Sequence, residues 1–120
     1  MQDLRLTAEQ RQLRELAAQV ARDVYAPHAA DWDRDRAGLP HAEVARLAEL
    51  GFLGIALPEE LGGQGGTLLD ALIVIEELAK VCRPAAFQVF EANVGPIRVV
   101  EHHGTPEQRA DYLPRVARGE

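Results

Sequence analysis

Apolar residues recur along this chain at helical spacing, and capping residues sit just ahead of them. Thr7-Ala8-Glu9-Gln10 has the form of a capping box, with Thr7 as N-cap and Gln10 at the third helical position. Leu13, Leu16, Ala17, Val20, Ala21 and Val24 then form one stripe, and Arg11, Arg14, Glu15, Arg22 and Asp23 lie mostly off it. The pattern predicts an amphipathic helix with one face on a core. Pro27 has no N–H to donate, so it breaks or kinks this helix, and as a first-turn proline it opens a short piece over 27–36. After a turn at Ala37-Gly38-Leu39-Pro40, a helix is expected over 41–50, with Val44, Leu47 and Ala48 inward and Gly51 as its stop. Residues 52–57 read as buried extended chain or a helical turn, and the glycine-rich 58–66 reads as a loop.

Thr67 caps the next predicted helix, 67–82, whose apolar residues surround the axis. A helix apolar on nearly every side belongs at the centre of a bundle. The β-branched run Leu72-Ile73-Val74-Ile75 also suits a strand, but about four turns of continuous pattern favour helix. Pro84 opens a helix to about Val94, Gly95-Pro96 is a joint, and 97–103 continues helically to a stop at Gly104. Thr105-Pro106-Glu107-Gln108 repeats the capping box, and the last helix runs to about Arg118 with a possible kink at Pro114. The expected fold class is all-α: roughly a six-helix bundle around a central buried helix, without an internal repeat.

With 47% apolar and 27% charged residues, 120 residues suffice for one ordered domain. The net charge of −6 argues against a nucleic-acid grip and against attraction to an anionic membrane surface. The longest aliphatic run, 71–75, is far too short to cross a bilayer, and Met1-Gln2-Asp3-Leu4-Arg5 lacks the apolar stretch of a secretory signal. The expected location is therefore the cytoplasm. Cys82, the single cysteine, rules out an internal disulfide and reads as a small core residue.

Candidate chemistry is sparse. The glycines at 62, 63, 65 and 66 invite a nucleotide reading, but no strand–loop–helix unit or Gly-Lys-Ser/Thr surrounds them, so a flexible connector is expected. Asp31, Asp33 and Asp35 imitate a calcium loop, yet Arg36 stands where glycine is needed and Ala42 where glutamate is needed. Adjacent His102 and His103 point about 100° apart on a helix, so they suit a helix end better than a shared metal. No metal site is expected. Glu76 is placed to pair with Lys80 four residues on. Phe87, Phe90 and Val94 fall on one face, with Glu91 four residues after Phe87 on that same face. A carboxylate there either reaches solvent at an edge or marks a cavity.

Seven pieces in order carry a family likeness: Leu6-Thr7-x-Glu9-Gln10; Ala26-Pro27-His28-Ala29-Ala30-x-Trp32-Asp33; Leu47-Ala48-Glu49-Leu50-Gly51-Phe52-Leu53-Gly54; Pro58-Glu59-Glu60-Leu61-Gly62-Gly63; Val74-Ile75-Glu76-Glu77-Leu78-Ala79; Gly104-Thr105-Pro106-Glu107-Gln108-Arg109; and Tyr112-Leu113-Pro114 with Gly119-Glu120. Together they resemble the N-terminal α-domain of acyl-CoA dehydrogenases over almost the whole chain, with 96–103 longer than in common members. The resemblance implies that 1–120 is this domain, without the β-barrel and C-terminal helical domains that follow it in the family. It implies that FAD is bound mainly by those domains, that the glutamate base lies in the last of them, and that this chain alone holds no catalytic residue. It makes Phe87, Phe90, Glu91 and Val94 candidate walls of the acyl-chain pocket. For the full-length enzyme it implies α,β-dehydrogenation of an acyl-CoA, electron-transfer flavoprotein as acceptor, and a homo-oligomer. A related flavin oxidase or monooxygenase, or a stand-alone helical binding module, are the alternatives.

Overall fold

The computed structural model describes residues 5–120; the N-terminal stretch that was read as lacking a secretory signal falls largely outside them. The described residues form helices and turns with no strand: α1 (Ala8–Val20), α2 (Ala26–Asp35), α3 (His41–Glu49), α4 (Leu68–Ala79), α5 (Arg83–Asn93), α6 (Ile97–His103) and α7 (Pro106–Ala117). The all-α expectation holds, with seven α-helical segments where about six were expected. A 3₁₀ turn, Glu59–Leu61, interrupts the glycine-rich loop. No helix among the described residues is long and apolar enough to cross a membrane.

Pro27 lies in the first turn of α2, as expected, but the chain stays helical through the junction instead of breaking. A five-residue π-helical turn, Ala21–Tyr25, joins α1 to α2, and the Ala26 N–H donates to the Ala21 carbonyl five residues back. A proline early in a helix withholds one N–H, and the wider turn absorbs that loss. The turn also brings Tyr25 fully into the core, edge-on to Trp32 at 6.3 Å. Burial, then the nearby Glu43 carboxylate, pushes the Tyr25 phenol far above its ordinary ionisation range.

The helices α1 and α5 both pack along α4, and one cluster containing Ala17, Tyr25, Leu47, Phe52, Val74, Leu78 and Val89 forms the main core. A smaller cluster, Leu57, Ile97 and Leu113, seats the α6–α7 pair. Within α4, Ala71, Ile73, Val74, Glu77 and Leu78 are buried. Its all-round apolar pattern is covered on only part of its circumference, however. Leu68, Leu69 and Leu72 stay 43%, 48% and 47% exposed, because no further layer of the described residues lies over them. Lys80 pairs with Glu77 at 2.6 Å and not with Glu76. Glu77 is the buried carboxylate of the two, so it gains more from a counter-charge.

Both threonine capping boxes read from the sequence are formed, at Thr7/Gln10 and Thr105/Gln108. A third, Thr67/Asp70, caps α4. The first and third are joined: Gln10 Nε2 donates to Asp70 Oδ1 at 2.9 Å, while Asp70 Oδ2 accepts from the Thr67 N–H at 2.8 Å. The helices α1 and α4 thus start side by side, with one carboxylate serving both N-termini, where it also meets the positive ends of two helix dipoles. Burial would raise the Asp70 pKa, but the hydrogen bonds from Thr67 and Gln10 outweigh it and hold the carboxyl below its usual value.

A lowered native pKa means that the stabilisation is present above the unfolded value, near ~3.9, and is lost as pH falls through the native value. Acid titration of the wild type should therefore show a loss of thermal stability below about pH 4 that Asp70→Ala lacks. At neutral pH Asp70→Ala should cost about 1 kcal/mol. A variant whose acid profile overlays the wild type would refute the linked-box account.

Candidate functional site

The segment 52–57 positions everything around α5. All six of its residues are buried, yet it is wound in turns and not in a regular helix. Its backbone polar groups must find partners elsewhere. Asn93, itself fully buried on the inward side of α5, accepts from the Ala56 N–H at 3.0 Å and donates to the Phe52 carbonyl at 2.8 Å and the Val89 carbonyl at 2.9 Å. Arg98 of α6 donates to the Ala56 carbonyl at 3.2 Å and is itself paired with Glu101. The carbonyls of Gly54, Ile55 and Leu57 accept from the N–H groups of Gln64, Gly66 and Gly65 at 2.8, 2.7 and 2.9 Å.

This last set corrects the reading of the glycine-rich loop. It is a backbone clamp on the buried segment, not a free connector. At Gly63 a Cβ would lie 2.1 Å from the Leu57 carbonyl oxygen, so only glycine lets the two backbones approach this closely. The loop also fails as a cradle for the phosphates of FAD, because its amides at 64, 65 and 66 already donate to carbonyls.

With its inner side fixed by Asn93, α5 presents two flanks. On one, Phe87 stacks on Phe90 at 5.6 Å between ring centroids, and Phe87 is 52% exposed. These rings line a cavity of about 230 Å³ with Ile75, Ala79, Arg83 and Ala86. On the other flank Glu91 is exposed at the mouth of a larger groove of about 520 Å³, between α5 and the helices α3, α6 and α7. Its floor includes Val44, Leu53, Ile97 and Val116, with His41 and Tyr112 also lining it. Val94 is half-buried against the main core. The shared face expected for Phe87, Phe90, Glu91 and Val94 is therefore divided. Phe90 and Glu91 are consecutive and so point about 100° apart, which is enough to meet different neighbours when helices pack on both sides.

The remaining candidates fall where helix chemistry puts them. Asp31 and Asp35 both pair with Arg34 on the exposed side of α2. His102 and His103 are exposed in the last turn of α6. Among the described residues no group of three or more His, Cys, Asp or Glu could hold a metal ion. Cys82 is buried, and burial pushes its thiol pKa up, which is the opposite of what a nucleophile needs. Sequence reading missed Asn93. Its one signal was a polar side chain in register with Val89 and Ala92 on the inward side of an apolar helix.

A helical domain that carries a groove on each flank of one helix has a surface shaped for binding. The chain belongs to the acyl-CoA dehydrogenase N-terminal domain family, whose profile matches residues 7–120. It is 42% identical over 103 residues to a 3-sulfinopropanoyl-CoA desulfinase of Variovorax paradoxus, covering 86% of this chain and 26% of the relative. It is 33% identical over 118 residues to the short-chain-specific acyl-CoA dehydrogenase of Clostridium acetobutylicum, covering 98% and 31%. The structure of glutaryl-CoA dehydrogenase with glutaryl-CoA superimposes with a TM-score of 0.88 at 28% identity, covering 98% of this chain and 30% of that one. The chain thus spans less than a third of the length of these relatives.

Two substitutions separate the inner and outer sides of α5. Asn93→Leu leaves the Ala56 N–H and the Phe52 carbonyl buried without this partner, and should cost about 3–5 kcal/mol, at ~1–3 kcal/mol for each unpaired group plus the distortion of the turn. Phe87→Ser should cost about 1 kcal/mol or less, because half of the ring is already in water. Thermal melts of the two variants check this ordering. Equal losses would contradict the placement of Phe87 on an outer surface.

Proposed function

We propose that this chain is the N-terminal helical domain of a FAD-dependent, acyl-CoA dehydrogenase-type flavoenzyme, and that α5 supplies part of the wall of its acyl pocket. The observation that carries this reading is the outward placement of α5. An exposed phenyl ring stacked on a second ring, beside a small apolar cavity, is poor surface chemistry for a domain facing water, and good chemistry for one facing an acyl chain or another apolar layer. Phe87 and Phe90 are the wall residues; Glu91, which faces the groove on the opposite flank, and Val94, packed against the main core, are not assigned to that wall.

The acyl group is a short one. The relatives act, by their names, on 3-sulfinopropanoyl-CoA, acryloyl-CoA and isobutyryl-CoA. Two stacked rings on the wall suit a pocket that is closed early along the chain. FAD, when bound by the longer enzyme, supplies the hydride acceptor. This chain's residues orient the thioester's tail and exclude water from it. Electron-transfer flavoprotein as acceptor and assembly into a homo-oligomer belong to the same reading.

The 120 residues alone should purify without flavin and should not dehydrogenate butyryl-CoA with a dye acceptor. Joined in place of the matched segment to the remainder of the Clostridium relative, they should retain flavin and turn over butyryl-CoA, and Phe90→Ser in that fusion should shift preference towards a longer acyl chain. A yellow, active 120-residue chain would overturn the proposal, as would a flavin-loaded fusion indifferent to Phe90→Ser. One second reading is favoured by four desulfinase relatives at 39–42% identity: loss of a sulfinate group from a short acyl-CoA. Sulfite release from 3-sulfinopropanoyl-CoA by the enzyme that carries this domain distinguishes the two.

A further inference from the structure

Four residues of α5 line the cavity beside its stacked rings: Arg83, Ala86, Phe87 and Phe90, with Ile75 and Ala79 of α4 facing them. They fall at spacings of three, one and three residues, so they form one stripe along the helix. Arg83 is the only charged residue in this lining, and it stands at the start of α5, one turn before Phe87. It is exposed, and among the described residues no carboxylate pairs with it. The acid closest to it in sequence, Glu77, is taken by Lys80. Helix stability does not account for this arginine. A cation at a helix N-terminus opposes the dipole, and the first turn of α5 holds no acidic residue to offset it.

We propose that Arg83 binds a terminal oxyanion, a carboxylate or a sulfinate, at the end of a short acyl thioester whose methylene groups lie against Phe87 and Phe90. This rests on the reading of α5 as part of the acyl-pocket wall, and it adds the class of acyl group: one that ends in an acid. The stripe supplies the two surfaces such a group needs, in order. Two stacked rings cover the carbon chain. One turn away, about 5.4 Å along the axis, begins a guanidinium side chain whose fork of N–H donors fits the paired oxygens of the acid. An acyl chain ending in a methyl group gains less, because it strips water from the guanidinium and returns no hydrogen bond. A lysine at this position offers a point charge in place of the fork, so Arg83→Lys keeps only part of the effect.

The test uses the full-length enzyme that carries this domain, with its flavin reduced beforehand so that no hydride transfer follows binding. Calorimetry gives Kd for butyryl-CoA and for succinyl-CoA, which differ only in a terminal methyl against a terminal carboxylate. Succinyl-CoA should bind at least about tenfold tighter. Arg83→Gln should bring the ratio of the two constants close to one, and Arg83→Lys should leave it in between. For the sulfinate, the KM for sulfite release from 3-sulfinopropanoyl-CoA should rise at least about tenfold in Arg83→Gln. An enzyme that releases no sulfite and still prefers succinyl-CoA assigns the acid to a carboxylate. Equal affinities in the wild type overturn the proposal and leave the pocket-wall reading standing, and so does a ratio, or a KM for sulfite release, that Arg83→Gln leaves unchanged. An enzyme that binds neither thioester overturns both.

Discussion

Six consecutive buried residues, 52–57, without regular helical hydrogen bonding set the terms for the rest of this domain. An N–H or carbonyl withdrawn from water and left unpaired costs more than most single contacts return. The chain therefore surrounds this segment with donors and acceptors drawn from distant parts of its sequence. Asn93 comes from α5, Arg98 from α6, and three amides from the glycine-rich loop. Each of these elements is held in place by the same obligation. The depth and rotation of α5 are set by where the Asn93 amide must lie, and the rotation of α5 decides that Phe87 and Phe90 look out one way and Glu91 another.

On the proposed reading, that arrangement separates stability from recognition along a single helix. The inward residues of α5 are small or hydrogen-bonded: Ala85, Ala86, Val89, Ala92 and Asn93. The outward ones are large and incompletely covered. Changes on the outer side can alter what the domain fits against without disturbing what holds it together, and changes on the inner side cannot. A family whose relatives act on different short acyl thioesters is well served by such a division.

Much of the fold was legible because it rests on local chemistry. Thr7 with Gln10 and Thr105 with Gln108 announce helix starts within four residues, and the stripe from Leu13 to Val24 announces a face. What escaped depends on partners far apart in sequence. Nothing near Asn93 shows that its amide reaches Phe52, some forty residues away. Nothing near Asp70 shows that Gln10 will share it. Lys80 had two carboxylates within reach, and which one it takes is decided by burial, which spacing does not encode. Three of the four candidate wall residues lie in α5 and Val94 caps its end, and they do not share one face because α4 packs on one side of α5 and the helices α3 and α6 on another. The glycine-rich loop was read as slack because glycine count shows freedom and does not show where the freed amides will go.

The π turn at Ala21–Tyr25 has a further consequence. Ala17, Ala21, Tyr25 and Ala29 all face the core, at intervals of four residues. Uniform α-helical winding, at 3.6 residues per turn, would carry such a series off its line by about 40° at every step. One wider turn takes up the accumulated phase, so a single rod keeps one side inward from residue 8 to residue 35. The register of α2 is thereby stored in a length and not in a contact. Deleting one residue between 21 and 25 would therefore remove the wide turn and leave Trp32 on the same side, whereas deleting one from the α-helical part of the rod would rotate every later side chain by about 100° and turn Trp32 towards water.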